Sequence, residues 1–106
     1  MKWKEALNDF SLYLKIERGM SKHTVQNYTL DVQKLIRYLE RHEMTLGPLQ
    51  ITSLQIQEFI YEIAKEMNPR TQSRLISGLR SFFDYLIFEN YLNSNPLERI
   101  EAPKIG

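Results

Sequence analysis

The chain predicts an all-α fold, a compact four-helix bundle with an extended C-terminal tail. Three observations carry that prediction. Apolar residues recur at helical spacing in four separate segments. Each segment is bracketed by residues that start or stop helices. No stretch alternates apolar and polar residues in the way a half-buried strand does. At 106 residues, 42% hydrophobic and 25% charged, the chain is sized for one soluble domain with a modest core.

Residues 2–18 make the first helix, with Trp3, Leu7, Phe10 and Leu14 on one face and Ala6 and Tyr13 flanking them. Gly19 ends it, because glycine takes the left-handed conformation without a steric cost. Ser21 is the N-cap of the second helix, with Thr24 three residues on. Val25, Tyr28, Val32, Leu35, Ile36 and Leu39 form its apolar stripe, which reaches about Arg41 or His42. Periodicity then fails over residues 43–52, where Gly47-Pro48 marks a turn.

Thr52 or Ser53 caps the third helix. Ile56, Phe59, Ile60, Ile63 and Met67 share its inner face, and Glu58, Glu62 and Glu66 point outward. Asn68-Pro69 closes this helix and opens the fourth: asparagine caps, and proline at the first helical position has no amide to leave unsatisfied. The fourth helix runs to about Asn90 or Tyr91, and Asn93-Ser94-Asn95-Pro96 ends it. Tyr28, Phe59, Phe82 and Phe83 are expected in the core, and Tyr13, Tyr38, Tyr61, Tyr85 and Tyr91 at its boundary. Residues 1–96 would be the folded domain. Residues 97–106, with Pro96 and Ala102-Pro103-Lys104-Ile105-Gly106, read as an extended linker with little to bury.

Several function classes are poorly supplied. There is no cysteine, which excludes disulfides, zinc-thiolate sites and thiol nucleophiles and fits a reducing compartment. No signal-peptide core opens the chain, and no apolar run approaches the roughly 18 residues of a membrane span; a cytoplasmic protein with no membrane partner is expected. His23 and His42 have no metal-ligand spacing. Gly19, Gly47, Gly78 and Gly106 are scattered singly, unlike a phosphate-cradling loop. Ser73, Ser77 and Ser81 lack a nearby base. No catalytic residue, cofactor, metal or small-molecule substrate is therefore expected.

Charge distribution points elsewhere. The net charge is only +1, yet the acids are segregated. Arg18 to Leu30 holds Arg18, Lys22 and His23 without an acid, and no acid occurs between Glu66 and Asp84. Stepping about 100° per residue around the fourth helix puts Arg70, Ser73, Arg74, Ser77, Arg80, Ser81 and Asp84 on one side. Leu75, Ile76, Leu79, Phe82, Phe83 and Leu86 fall on the other. Solvated helix faces usually mix Glu with Lys. This face, with Thr71 beside it, offers side chains suited to phosphates and base edges. On the second helix Lys22, His23, Gln26 and Asn27 lie exposed near an N-terminus whose unpaired amides and dipole favour anions. Lys34, Arg37 and Arg41 continue that side.

Ser21-Lys22-His23-Thr24-Val25-Gln26-Asn27-Tyr28-Thr29-Leu30-Asp31-Val32 resembles a stretch of the tyrosine recombinases and phage integrases. The run Arg74-Leu75-Ile76-Ser77-Gly78-Leu79-Arg80-Ser81-Phe82-Phe83-Asp84-Tyr85-Leu86 resembles a later helix of the same proteins. Asn95-Pro96 followed by Ala102-Pro103-Lys104 is similar to their exit toward the catalytic domain. The resemblance covers the whole chain and is to the N-terminal core-binding domain of the Xer-type and integrase group. It implies a SAM-like orthogonal four-helix bundle forming half of a clamp around a double-stranded DNA recombination half-site. It places the second and fourth helices against the major groove, and thus implies DNA contacts from Lys22, His23, Gln26, Asn27, Arg70, Thr71, Ser73, Arg74, Ser77, Arg80 and Ser81. Other recombinase protomers and a following catalytic domain are the implied partners, and that domain would hold the family's catalytic residues. The alternative from the residues themselves is a helical protein-interaction module whose Arg and Ser face meets an acidic partner.

Overall fold

The computed structural model describes residues 1–103, within which every regular element is helical. The α-helices are α1 (Trp3–Leu12), α2 (Lys22–Arg41), α3 (Ser53–Ile63) and α4 (Pro69–Phe88). The chain divides into two compact units, the first Met1–Gln50 and the second beginning at Ile51.

In the first unit, Ala6, Phe10 and Leu14 are buried from the α1 side, and Val25, Val32, Leu35, Tyr38 and Leu39 from α2. The Phe10 and Tyr28 rings meet edge to face, with centroids 6.4 Å apart, the arrangement that aromatic quadrupoles favour. Tyr28 itself is only half-buried, and Tyr38, expected at the boundary, is a core residue at 4% exposure. The first helix is not α-helical throughout. Its last turn, Tyr13–Glu17, is a π-helix, closed by bonds from the Arg18 amide to the Tyr13 carbonyl and from the Met20 amide to the Leu14 carbonyl. Gly19 terminates it at φ +61°, in the left-handed region predicted for it. The Trp3 indole N–H donates to the Leu46 carbonyl at 2.7 Å and ties α1 to the loop after α2. In that loop the Gln50 amide bonds the Gly47 carbonyl, forming the expected turn.

α2 begins where its cap dictates: Ser21 Oγ accepts from the Thr24 amide at 3.2 Å. It ends with Glu43 at φ +54° and a Met44 amide bond to the Leu39 carbonyl, the Schellman closure without its usual glycine.

In the second unit Thr52 and Gln55 form a reciprocal capping box at the start of α3. Ile56 and Phe59 are buried, while Glu58, Glu62 and Glu66 face solvent. α3 tightens into a 3₁₀ turn, Ala64–Glu66, before Asn68 opens α4. Leu75, Ile76, Leu79, Phe82, Phe83, Tyr85 and Leu86 bury the inner face of α4. Phe82 and Phe83 pack edge to face at 5.1 Å. α4 closes through Asn90 at φ +65° and a Tyr91 amide bond to the Leu86 carbonyl.

The extended tail expected from Leu97 onward does not begin there. Leu97 is fully buried and Ile100 nearly so. The Glu98 and Ile100 amides bond the Asn95 and Leu97 carbonyls, so the chain turns back on itself. Two apolar side chains three residues apart gain enough by leaving water to hold this turn. Lys104, Ile105 and Gly106, part of the predicted linker, lie outside the described residues.

Candidate nucleic-acid interface

Asn68 aims the α4 face. Its Oδ1 accepts from the Thr71 amide at 2.8 Å, and Pro69 takes the first helical position. With the apolar side buried, Arg70, Arg74 and Ser77 emerge exposed along one line of the helix, and Ser73 and Ser81 lie half-buried beside them. Thr71 is half-buried on the flank. Gln72 turns back, its Nε2 donating weakly to the Ala64 and Met67 carbonyls at 3.5 and 3.4 Å. It thereby adds a side-chain donor to carbonyls at the end of the preceding helix, one of which, Ala64, also accepts from the Met67 amide.

Arg80 departs from the row. It is half-buried, and its Nη2 donates to the Ile100 carbonyl at 2.6 Å and to the Leu97 carbonyl at 3.4 Å. Asp84, at the far end of the same face, accepts from Asn95 Nδ2 at 2.8 Å. The sequence pattern grouped Arg80 with Arg70 and Arg74; its guanidinium is instead drawn toward backbone carbonyls of the C-terminal turn.

The second patch is the start of α2. Lys22, His23 and Gln26 are exposed and Asn27 is half-buried. There is no acid in the first turn. The helix terminus carries partial positive charge from its unpaired amides, so Lys22 and the local dipole act in the same direction. Farther along, Arg37 and Arg41 are exposed and Lys34 is half-buried. Each patch is one face of one helix, the α2 patch in the first unit and the α4 patch in the second.

Among the described residues no group of three or more His, Asp or Glu side chains is placed to hold a metal ion. No helix there is long and apolar enough to cross a membrane. Asp31, which sequence reasoning placed only within a motif, is 1% exposed, and no buried side-chain nitrogen or oxygen among the described residues lacks a hydrogen-bond partner. A buried carboxylate costs stability unless it is satisfied, and Asp31 meets that requirement.

Both patches are polar helix faces whose first turns carry no acid. Residues 7–90 match the family described as phage integrase, N-terminal SAM-like domain, and the chain belongs to that family. It is 35% identical over 100 residues to the tyrosine recombinase XerD of Oceanobacillus iheyensis, covering 93% of this chain and 34% of that protein. It is 33% identical over 107 aligned positions to the tyrosine recombinase XerC of Leptospira interrogans serovar copenhageni, covering 95% and 34%. A tyrosine recombinase of Pseudothermotoga lettingae is 37% identical over 102 residues, covering 93% and 35%. The chain spans about a third of the length of these relatives. The matched family is an N-terminal SAM-like domain, and the relatives that share this region are tyrosine recombinases. No solved structure matches the chain.

Proposed function

We propose that this chain is the DNA-binding module of a site-specific tyrosine recombinase, gripping a recombination half-site through the major groove while a separate catalytic domain cuts and rejoins the strands. The observation that carries this reading is the exposed line Arg70, Arg74 and Ser77, on a helix face without an acid until Asp84. Arginine forks match phosphate oxygens and guanine edges, and serine hydroxyls reach either phosphates or bases. Ser73, Ser81 and Thr71 flank that line and add shorter donors. At the start of α2, Lys22 and His23 approach phosphate, and Gln26 and Asn27 have the paired donor and acceptor that adenine presents for reading. Phosphate contacts supply most of the affinity and the base contacts add preference. Other protomers on the same DNA are its protein partners, and the work is done in the cytoplasm.

Anisotropy titration of a labelled duplex across a range of salt concentrations tests the reading. Binding should weaken as salt rises, and Arg70→Ala should reduce the slope of log K against log salt by about one phosphate contact. Lys22→Ala should do the same from the other unit. A wild-type chain that ignores duplex even at low ionic strength would overturn the proposal and leave the acidic-protein partner as the better reading.

A further inference from the structure

Arg80 is held differently from Arg70 and Arg74, half-buried and bonded to the C-terminal turn. Its Nη2 donates to the Ile100 carbonyl at 2.6 Å and also reaches the Leu97 carbonyl. A second arm closes the same turn: Asn95 Nδ2 donates to the Arg80 carbonyl at 3.0 Å and to Asp84 Oδ1 at 2.8 Å. The other atom of that amide, Asn95 Oδ1, accepts from the Leu97 amide at 2.9 Å. Beneath these bonds Leu97 and Ile100 are buried. Two side chains, one from the helix and one from the turn, thus cross-link α4 to the segment through which the chain leaves.

We propose that Arg80 is the positioning residue of a clasp that fixes the exit of the chain, through Leu97–Ile100, against α4. The inference rests on the proposed DNA-binding function only in what it positions. Arg70 and Arg80 share one helix, ten residues or about 15 Å apart. A rigid exit on that rod sets the bearing of whatever follows relative to DNA held at Arg70 and Arg74. The guanidinium suits this task because one planar group offers several fixed donors, and hydrogen bonds from a charged donor are stronger than neutral ones. An ammonium at the same place, a compact charge on a flexible stem, lacks that preorganised fork.

Amide exchange on the full chain tests the clasp. Arg80→Ala and Asn95→Asp should each accelerate exchange at Ile100 by about tenfold or more, as loss of a part-buried, charge-assisted tie predicts, while amides in the middle of α4 keep their protection. Asn95→Asp leaves the Arg80 stem in place and sets a carboxylate against Asp84, so it probes the clasp even if Arg80→Ala fails to fold. Since the chain has no cysteine, Glu101→Cys can carry a single nitroxide whose spectrum should sharpen when Asn95→Asp or Arg80→Ala is added; Arg80→Lys should recover only part of the broadening. In the duplex titration Arg80→Ala should keep the wild-type salt slope, whereas Arg70→Ala lowers it by about one. Unchanged exchange and an unchanged nitroxide spectrum, or a salt slope that falls as it does for Arg70→Ala, overturn the assignment. If the wild-type chain binds no duplex, the proposed function fails by itself, and exchange at Ile100 still decides the clasp.

Discussion

Gly19, Glu43 and Asn90 all place their backbone in the left-handed region, at φ +61°, +54° and +65°, at three different costs. Glycine is at ease there, asparagine tolerates it, and glutamate is strained. Glu43→Gly should raise stability by about 0.5–1 kcal/mol, less what the more flexible unfolded chain takes back. A shifted denaturant midpoint at constant m would read the change. Gly19→Ala should lower stability by about 1–2 kcal/mol. Because no atom lies within 4 Å of the added Cβ, that loss would be conformational and not a clash. Gly19 could be read in the sequence because its residue type is the signal. Glu43 could not: the Met44 bond to the Leu39 carbonyl forces the geometry on a residue that does not announce it. Asp31 was equally silent, since a carboxylate gives no sign of burial before its neighbours are known.

Helix boundaries were the most legible elements. Ser21 and Asn68 each cap the helix the sequence assigned to them, and of the two candidates Thr52 and Ser53 it is Thr52 that caps α3; a cap acts over three residues and needs no tertiary partner. Asn68→Ala should cost about 1 kcal/mol of stability, measured by thermal or denaturant unfolding. It should also loosen the first turn of α4, where Arg70 sits. The π-helical turn at Tyr13–Glu17 was not legible. Shifting from an i−4 to an i−5 bond changes which carbonyl is used, while the residue types look the same. The outward face of α4 was read correctly for Arg70, Arg74 and Ser77 and incompletely for Arg80. Helical spacing reports direction around an axis, but it does not know that Asn95 and Ile100 fold back to meet one flank.

For the whole molecule, the C-terminal turn is the main departure from the sequence reading. Leu97 and Ile100 stand singly among Pro, Asn and charged residues, a composition that signals a linker; their burial and the bonds from Arg80 to their carbonyls depend on tertiary partners that the local sequence does not mention. Leu97→Ala should destabilise the domain by about 2–5 kcal/mol, as for other fully buried leucines, whereas truncating a true linker side chain would be nearly neutral. An unfolding midpoint that does not move would return Leu97 to the tail.

The Trp3 bond to Leu46 has an optical consequence. Trp3 is the sole tryptophan of the chain, and both ends of its hydrogen bond lie within the first unit. Its emission therefore reports on the hydrogen bond that closes that unit. Far-UV circular dichroism weighs all the helices together. Melting curves from the two signals should superimpose if the chain opens as one cooperative body, and should separate if α1 and α2 come apart on their own.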